Sequence, residues 1–164
     1  LGIIGDISQR PSNKLTTPGD EEGRFRPDFP RLGVGALVFR NDSFLLVKRG
    51  KPPRKGVWTP PGGLIRLGET ITSALHRELY EECQVRARFG TDPEIFQFIE
   101  KNETCIDYHY VVLDYLGIYL DGQVCAGDDV EAAGWFTLND LDGLDTTAET
   151  RELVHKGLAW QNRP

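Results

Sequence analysis

The spacing of apolar positions changes several times along this chain, and each change predicts a different element. The run GVGALVF, Gly33 to Phe39, is dense in apolar and β-branched residues, and SFLLVKR follows directly after the turn pair Asn41-Asp42. That pattern predicts two strands joined as a hairpin. Next, KPPRKGVWTPPGG, Lys51 to Gly63, concentrates four prolines and three glycines, which neither a long helix nor a central strand accommodates, so a shaped loop is expected. From Thr70 to Glu82 the spacing turns helical, with Thr70 as N-cap and Ile71, Ala74, Leu75 and Leu79 on one face. Val85 to Phe89, Glu94 to Glu100 and Ile106 to Tyr119 then read as strands, the last as one long strand or a strand pair, and AAGWF as a further short strand. A second helix is expected from Thr146, where TTAE offers a capping box to Glu149, with Leu153, Val154 and Leu158 facing inward.

The first helix carries an anomaly. Within RELYEECQV, Arg77 to Val85, three carboxylates stand within five residues: Glu78, Glu81 and Glu82. With Ile71 set to zero on a helical wheel, Ala74, Leu75 and Leu79 fall at about 300°, 40° and 80°, and Glu78 and Glu82 at about 340° and 20°. Glu81, at about 280°, borders the same face, and Arg77, at about 240°, lies farther round. A solvated charge run belongs opposite the apolar stripe, whereas these acids point with it. Buried carboxylates need protons, cations or hydrogen bonds to offset desolvation. Two readings follow from the spacing: a hard divalent cation such as Mg²⁺ or Mn²⁺ held among the acids, or glutamates at the edge of a packed helix.

Bulk properties narrow the setting. The chain has 164 residues and a net charge of −6, from 19 Lys plus Arg against 25 Asp plus Glu. That length suits one domain, and the charge does not favour a broad nucleic-acid surface. Residues 8 to 31, crowded with Pro, Gly and charge, read as an extended arm; residues 1–31 are therefore assigned to an N-terminal arm and 32–164 to the domain. Cys83, Cys105 and Cys125 lack the spacing of a structural zinc site and are read as reduced thiols. His76, His109 and His155 are dispersed and form no metal or triad spacing. No apolar run approaches a membrane span, and no complete secretory signal is present. A cytoplasmic protein without a membrane or stable nucleic-acid partner is expected, although the chain starts at Leu1 instead of methionine.

Extended backwards, the acidic helix becomes GLIRLGETITSALHRELYEECQV, Gly63 to Val85. This segment resembles the signature box of the Nudix (MutT-like) hydrolases: Gly63, five residues, Glu69, seven residues, then Arg77, Glu78, Leu79, any residue, Glu81, Glu82 and, two residues on, an aliphatic at Val85. Gln84 stands where the family pattern has glycine. VWTPPGG resembles the WxxPGG segment common in the family, and GWFTLNDL, Gly134 to Leu141, resembles its late Trp-containing strand and turn. The resemblance runs from about Leu32 to Leu158 in element order.

The resemblance implies an α/β fold, the Nudix α/β/α sandwich with a mixed β-sheet, and divalent-metal-dependent hydrolysis of a diphosphate linkage in nucleoside diphosphate derivatives. Carried over residue by residue, Glu78, Glu81 and Glu82 become ligands of Mg²⁺ or Mn²⁺. Glu69 orients the motif through Arg77, and Gly62 and Gly63 let the backbone turn tightly at the site. Glu82 is the first choice for contact with the attacking water; Asp129 and Glu131 in GDDVEAAGW are later-loop candidates, with an ordinary acidic turn as the alternative. Substrate phosphates could be met by Lys48, Arg49, Arg54, Lys55 or Arg66, each otherwise a solvated surface residue. Base or ribose recognition could draw on Phe25, Phe29, Trp58, Phe98 or Tyr110, with packing as the alternative for Trp58 and Tyr110. At Gln84, a positive φ would cost roughly 1–2 kcal/mol.

Among family substrates the leading expectation is ADP-ribose, cleaved to AMP and ribose 5-phosphate. Oxidised or ordinary nucleoside triphosphates, a nucleotide-binding regulatory protein without significant hydrolysis, and an interaction domain with a solvated acidic helix stand as alternatives. The partner implied is a small nucleotide. A homodimer, as in the ADP-ribose branch, is a further expectation.

Overall fold

Asn41, at φ 53°, and Asp42 close a hairpin between β1 (Arg31–Arg40) and β2 (Ser43–Arg49) in the computed structural model, which describes residues 23–127 and 129–161. Asn tolerates this left-handed backbone better than most residues, which is why it suits the turn. Most of the expected arm, residues 1–22, lies outside the described residues, as does Asp128 of the acidic turn.

The Pro/Gly-rich segment after β2 is a loop broken only by two short strands, β3 (Trp58–Thr59) and β4 (Gly62–Leu64). α1 (Ile71–Cys83) follows, then β5 (Val85–Phe89), β6 (Glu94–Lys101), β7 (Ile106–Gly122), β8 (Val130–Thr137), a 3₁₀ turn at Leu141–Gly143 and α2 (Ala148–Gln161). The open question about Ile106 to Tyr119 resolves as one long strand, because β6 pairs with its first half and β5 with its second. The eight strands form one sheet with the path β3-β2-β1-β7-β5, β4 adding to β1, β6 to β7 and β8 to β2. It is mixed: β1 runs parallel to β7 and antiparallel to β2 and β4.

Strand alternation then divides the core into two layers. Val34, Ala36 and Val38 of β1 pack with Ala74, Leu75, Leu79 and Cys83 of α1. Leu37 and Phe39, on the opposite face, pack with Leu116 and with Leu153 and Val154 of α2. Both faces of the sheet are thus covered by a helix, which is the expected α/β/α sandwich. The face that carries Leu37 and Phe39 bears no side chains at Gly33 and Gly35. There the α2-side core gives way to a cleft.

Both helix starts have local causes. The Thr70 hydroxyl accepts the Ser73 amide at 3.1 Å and caps α1 as expected. For α2 the cap is Thr147, not Thr146: its hydroxyl accepts the Thr150 amide at 3.1 Å. Thr146 is drawn into an extended bridge with Trp58, which moves the helix start one residue along. Ile71 is a second correction. It sits in the first turn at 37% exposure, beyond the reach of the sheet.

The exit of α1 is at Gln84, with φ 55° and ψ 30°. This left-handed residue still donates its amide to the Tyr80 carbonyl at 2.9 Å, so the chain turns there without glycine. Cys83 is buried, Cys105 half-buried and Cys125 exposed, all with free thiols. Among the described residues no helix is long and apolar enough to cross a membrane.

Candidate active site

β4 brings two consecutive glycines against the acidic face of α1. The Gly62 amide donates to Glu82 Oε2 at 2.8 Å. The Glu78 carboxylate lies directly over Gly63, where a Cβ would stand 2.5 Å from the carboxyl carbon. At Gly62 a Cβ would stand 2.1 Å from the Val34 carbonyl oxygen. Close approach of backbone and carboxylate, more than turn geometry, is what excludes side chains at these two positions.

Arg77 ties the rest of the cluster together. Its Nε donates to Glu69 Oε1 at 2.7 Å and its Nη2 to Glu69 Oε2 at 2.8 Å. Nη2 also donates to the Leu64 carbonyl at 3.1 Å, while Nη1 donates to Glu81 Oε2 at 3.2 Å and to Glu78 Oε1. Glu69 in turn accepts the Arg66 amide at 3.0 Å, closing the loop before the helix. These contacts set the charges. Hydrogen bonds from Arg77, then from the Arg66 amide, hold the Glu69 carboxyl down to about 2. Burial pushes Glu78 above the ordinary carboxylate range against the pull of Arg77. Burial likewise pushes Glu82 up to about 7, the Gly62 amide opposing and the Glu78 charge adding to the rise.

The helical-wheel expectation for the acids holds: Glu78 and Glu82 are half-buried along the apolar stripe and Glu81 is exposed at its edge. Among the described residues, though, no three His, Cys, Asp or Glu side chains are gathered closely enough to hold a metal as they stand. Glu78 and Glu81 are turned onto Arg77 and Glu82 onto the Gly62 amide. The donor set nevertheless fits a hard cation. It consists of carboxylate oxygens, two of its members are lifted by burial, and the guanidinium that bonds Glu78 and Glu81, Arg77, is already shared with Glu69 and the Leu64 carbonyl. Glu78 and Glu81 each give Arg77 one carboxylate oxygen, so the second oxygen of each could turn to an ion while Arg77 holds the first.

Next to Gly62 and Gly63 opens a cleft whose floor is the bare stretch of β1 at Gly33 and Gly35. Phe96, Phe98 and Tyr110 form an aromatic wall, Thr147, Glu149 and Thr150 come from the start of α2, and Arg24, Arg49 and Arg54 bring positive charge. Arg49 donates through Nε to the Pro53 carbonyl at 2.9 Å, and burial lowers its affinity for a proton. The guanidinium of Arg54 lies 4.4 Å from the Phe98 ring centre, a cation–π contact, and 3.6 Å from Glu149. Its backbone is left-handed, φ 61°, a costly conformation for a non-glycine residue beside a site.

Of the substrate-side candidates, Arg49, Arg54, Phe98 and Tyr110 line this cleft. The remainder are placed elsewhere. Trp58 packs edge-on against Phe136, with ring centres 4.8 Å apart, in the α2-side core. Arg66 lies 3.6 Å from Glu81, on the α1 side. Lys48 and Lys55 both pair with Glu131, at 3.5 and 3.9 Å, and Lys51 pairs with Asp129. Glu131 lies in β8 and not in a loop, while the segment leading to Asp129 is anchored where the Gly127 amide donates to the Glu82 carbonyl at 3.0 Å, and the Asp129 charge is felt at Glu82. Phe25 stacks edge-on against Tyr108, and Phe29 is exposed beneath Arg31. Sequence reasoning missed Arg24, Phe96 and Asp114 in the cleft. For Asp114 a signal existed: it is the one carboxylate inside the apolar run VVLDYLG.

The chain is similar to known proteins in sequence and in fold. The chain is similar to an ADP-ribose pyrophosphatase of Methanocaldococcus jannaschii, 26% identical over 133 residues that cover 81% of this chain and 76% of that protein. It is also similar to an NAD-capped RNA hydrolase NudC of Deinococcus radiodurans, 29% identical over 143 residues, where the match covers 80% of this chain but 47% of that protein. The chain thus spans about half the length of that relative. Among solved structures, a MutT NUDIX hydrolase of Burkholderia pseudomallei superposes with a TM-score of 0.66 at 32% identity, covering 78% of this chain and 98% of that one. The family model described as the NUDIX domain matches residues 29–156. That span holds the Gly63–Val85 box, the sheet and all of the cleft but Arg24, and the chain belongs to the Nudix hydrolase family.

Proposed function

We propose that the chain hydrolyses the diphosphate linkage of ADP-ribose, giving AMP and ribose 5-phosphate, with a divalent cation held by Glu78, Glu81 and Glu82. The observation that carries this reading is the adjacency of the half-buried acidic face of α1 to an arginine-lined cleft, with Gly62 and Gly63 between them. The choice of ADP-ribose is supported by the name of the M. jannaschii relative, which this chain matches over most of both lengths.

A bound Mg²⁺ or Mn²⁺ would supply neutralisation of diphosphate charge and a more acidic water. The protein's own groups do the rest. Arg49 and Arg54 attract the substrate anion, Arg49 as a half-buried guanidinium positioned by the Pro53 carbonyl. Glu82, aimed by the Gly62 amide, would divide its carboxylate between the ion and the proton of the attacking water. Arg77 positions Glu78 and Glu81 and is itself fixed by Glu69. In the balanced reaction, water adds its hydroxyl to one phosphorus, the bridging oxygen leaves with the other, and the remaining proton passes to the base.

Product analysis with Mg²⁺ or Mn²⁺ across a panel of ADP-ribose, NAD, nucleoside triphosphates and oxidised nucleoside triphosphates tests the assignment. AMP and ribose 5-phosphate from ADP-ribose in preference to the others is the expected result. Saturable binding without product from any member would instead make the chain a nucleotide-binding protein.

A further inference from the structure

Asp114 and Gly35 are direct partners across the parallel β1–β7 pairing. The carboxylate of Asp114 lies over the bare Cα of Gly35: a Cβ there would stand 1.9 Å from Asp114 Oδ1. Asp114 shares its face of β7 with Val112 and Tyr110 and, like them, borders the cleft.

Nothing in the packing asks for an acid at this position. Its antiparallel partner on β6 is Glu94, a like charge that Lys156 offsets in part by pairing with it at 2.8 Å. Burial, with the Glu94 charge adding to it, raises the carboxyl to about 6. Among the described residues Asp114 has no hydrogen-bond or ion-pair partner, and an apolar residue such as Leu116, two positions on, packs the same face without these penalties. A carboxylate kept at such cost at the edge of a cleft points to a ligand.

Position restricts what the ligand group is. Gly35 is also the partner of Gly62, whose amide holds Glu82. Asp114 therefore lies two strands from Gly62, roughly 10 Å at ordinary strand spacing. That separation keeps an anion away from substrate phosphates, yet a nucleoside attached to them spans it. An ionised carboxylate only accepts hydrogen bonds, and its two oxygens match two neighbouring hydroxyls. Gly35 has no side chain and so leaves room for the Asp114 carboxylate to lie flat against β1 at the edge of the cleft.

We propose that Asp114 determines specificity for the sugar of the nucleotide, its carboxylate, which covers Gly35, accepting hydrogen bonds from the 2′ and 3′ hydroxyls of a ribose seated against it in the cleft. This rests on the nucleotide reading of the cleft given above. Asp114 takes no part in bond cleavage.

Calorimetric titration with AMP and with 2′,3′-dideoxy-AMP, for the wild type, Asp114→Ala and Asp114→Asn, reads it directly. The wild type should bind AMP about tenfold or more tighter than the dideoxy compound, and Asp114→Ala should bring that ratio to within about twofold. Asp114→Asn, which keeps one acceptor and the side-chain shape, should fall between and serves if the alanine variant does not fold. A folded variant that keeps the wild-type ratio, or a wild type with no preference for the diol, overturns the proposal. So does loss of a preference for AMP over inosine 5′-monophosphate with the diol ratio intact, since the carboxylate would then read the base. Turnover of ADP-ribose measured in parallel separates the two readings: no hydrolysis with Asp114-dependent diol selectivity defeats only the proposed reaction, and hydrolysis without that selectivity defeats only the role of Asp114.

Discussion

Arg77 grips Glu69 with both sides of its guanidinium, Nε at 2.7 Å from Oε1 and Nη2 at 2.8 Å from Oε2. The pair leaves Nη1 for Glu78 and Glu81, so one side chain joins the loop before α1 to two of its three acids. Lysine offers a point charge in place of a planar fork. Arg77→Lys should weaken activation by Mg²⁺ or Mn²⁺ and lower turnover by about 10- to 100-fold. Metal titration of activity checks it, and an unchanged metal midpoint would show that Arg77 does not position the acids.

Glu82→Gln keeps an oxygen for the Gly62 amide but removes the ionisable oxygen. Turnover should fall by about 100-fold or more, while the melting temperature of the metal-free protein should not fall, because a buried charge is lost along with the activity. Chelation should reduce the wild type to the level of the variant. Full turnover in Glu82→Gln would remove it from the reaction.

Gln84 occupies a left-handed conformation that glycine adopts without penalty. Gln84→Gly should therefore stabilise the protein by about 1 kcal/mol, the released strain being partly offset by the greater freedom of the unfolded chain. Chemical denaturation measures it. A loss of stability would mean that the Gln84 side chain contributes more than its backbone costs.

Asp114 gives a pH signature. Its folded carboxyl titrates near 6 against an ordinary 3.8, so between these values the folded state binds more protons than the unfolded one. Stability is greatest below about 3.8 as far as this group is concerned, falls as pH rises, and is lower by about 3 kcal/mol once pH passes its folded value. Asp114→Asn should be more stable than the wild type at pH 7 and should flatten this part of the profile. Parallel profiles in wild type and variant would contradict the burial cost.

Local signals carried much of this fold. The β1–β2 hairpin, both helices and the course of β5 to β8 follow from alternation, periodicity and caps within a few residues of each element, and the inward tilt of Glu78 and Glu82 follows from 3.6-residue geometry. At Gln84 a single position in a motif anticipated the left-handed backbone angle that ends α1. The start of α2 was misplaced by one residue because Trp58, far along the chain, holds Thr146 extended.

The cleft was legible only in part. Arg49, Arg54, Phe98 and Tyr110 could be listed as charged or aromatic residues, but so could Trp58, Arg66, Lys48 and Lys55, which packing and ion pairs place elsewhere. The sequence by itself determined the box and the periodicities, since those depend on neighbours within one turn or one strand. Tertiary structure alone decided that Glu78 lies over Gly63, that Arg77 holds Glu69, Glu78 and Glu81 together, and that Asp114 meets the empty face of Gly35. Strand register across the sheet sets these contacts, and register depends on how both of its faces pack against α1 and α2.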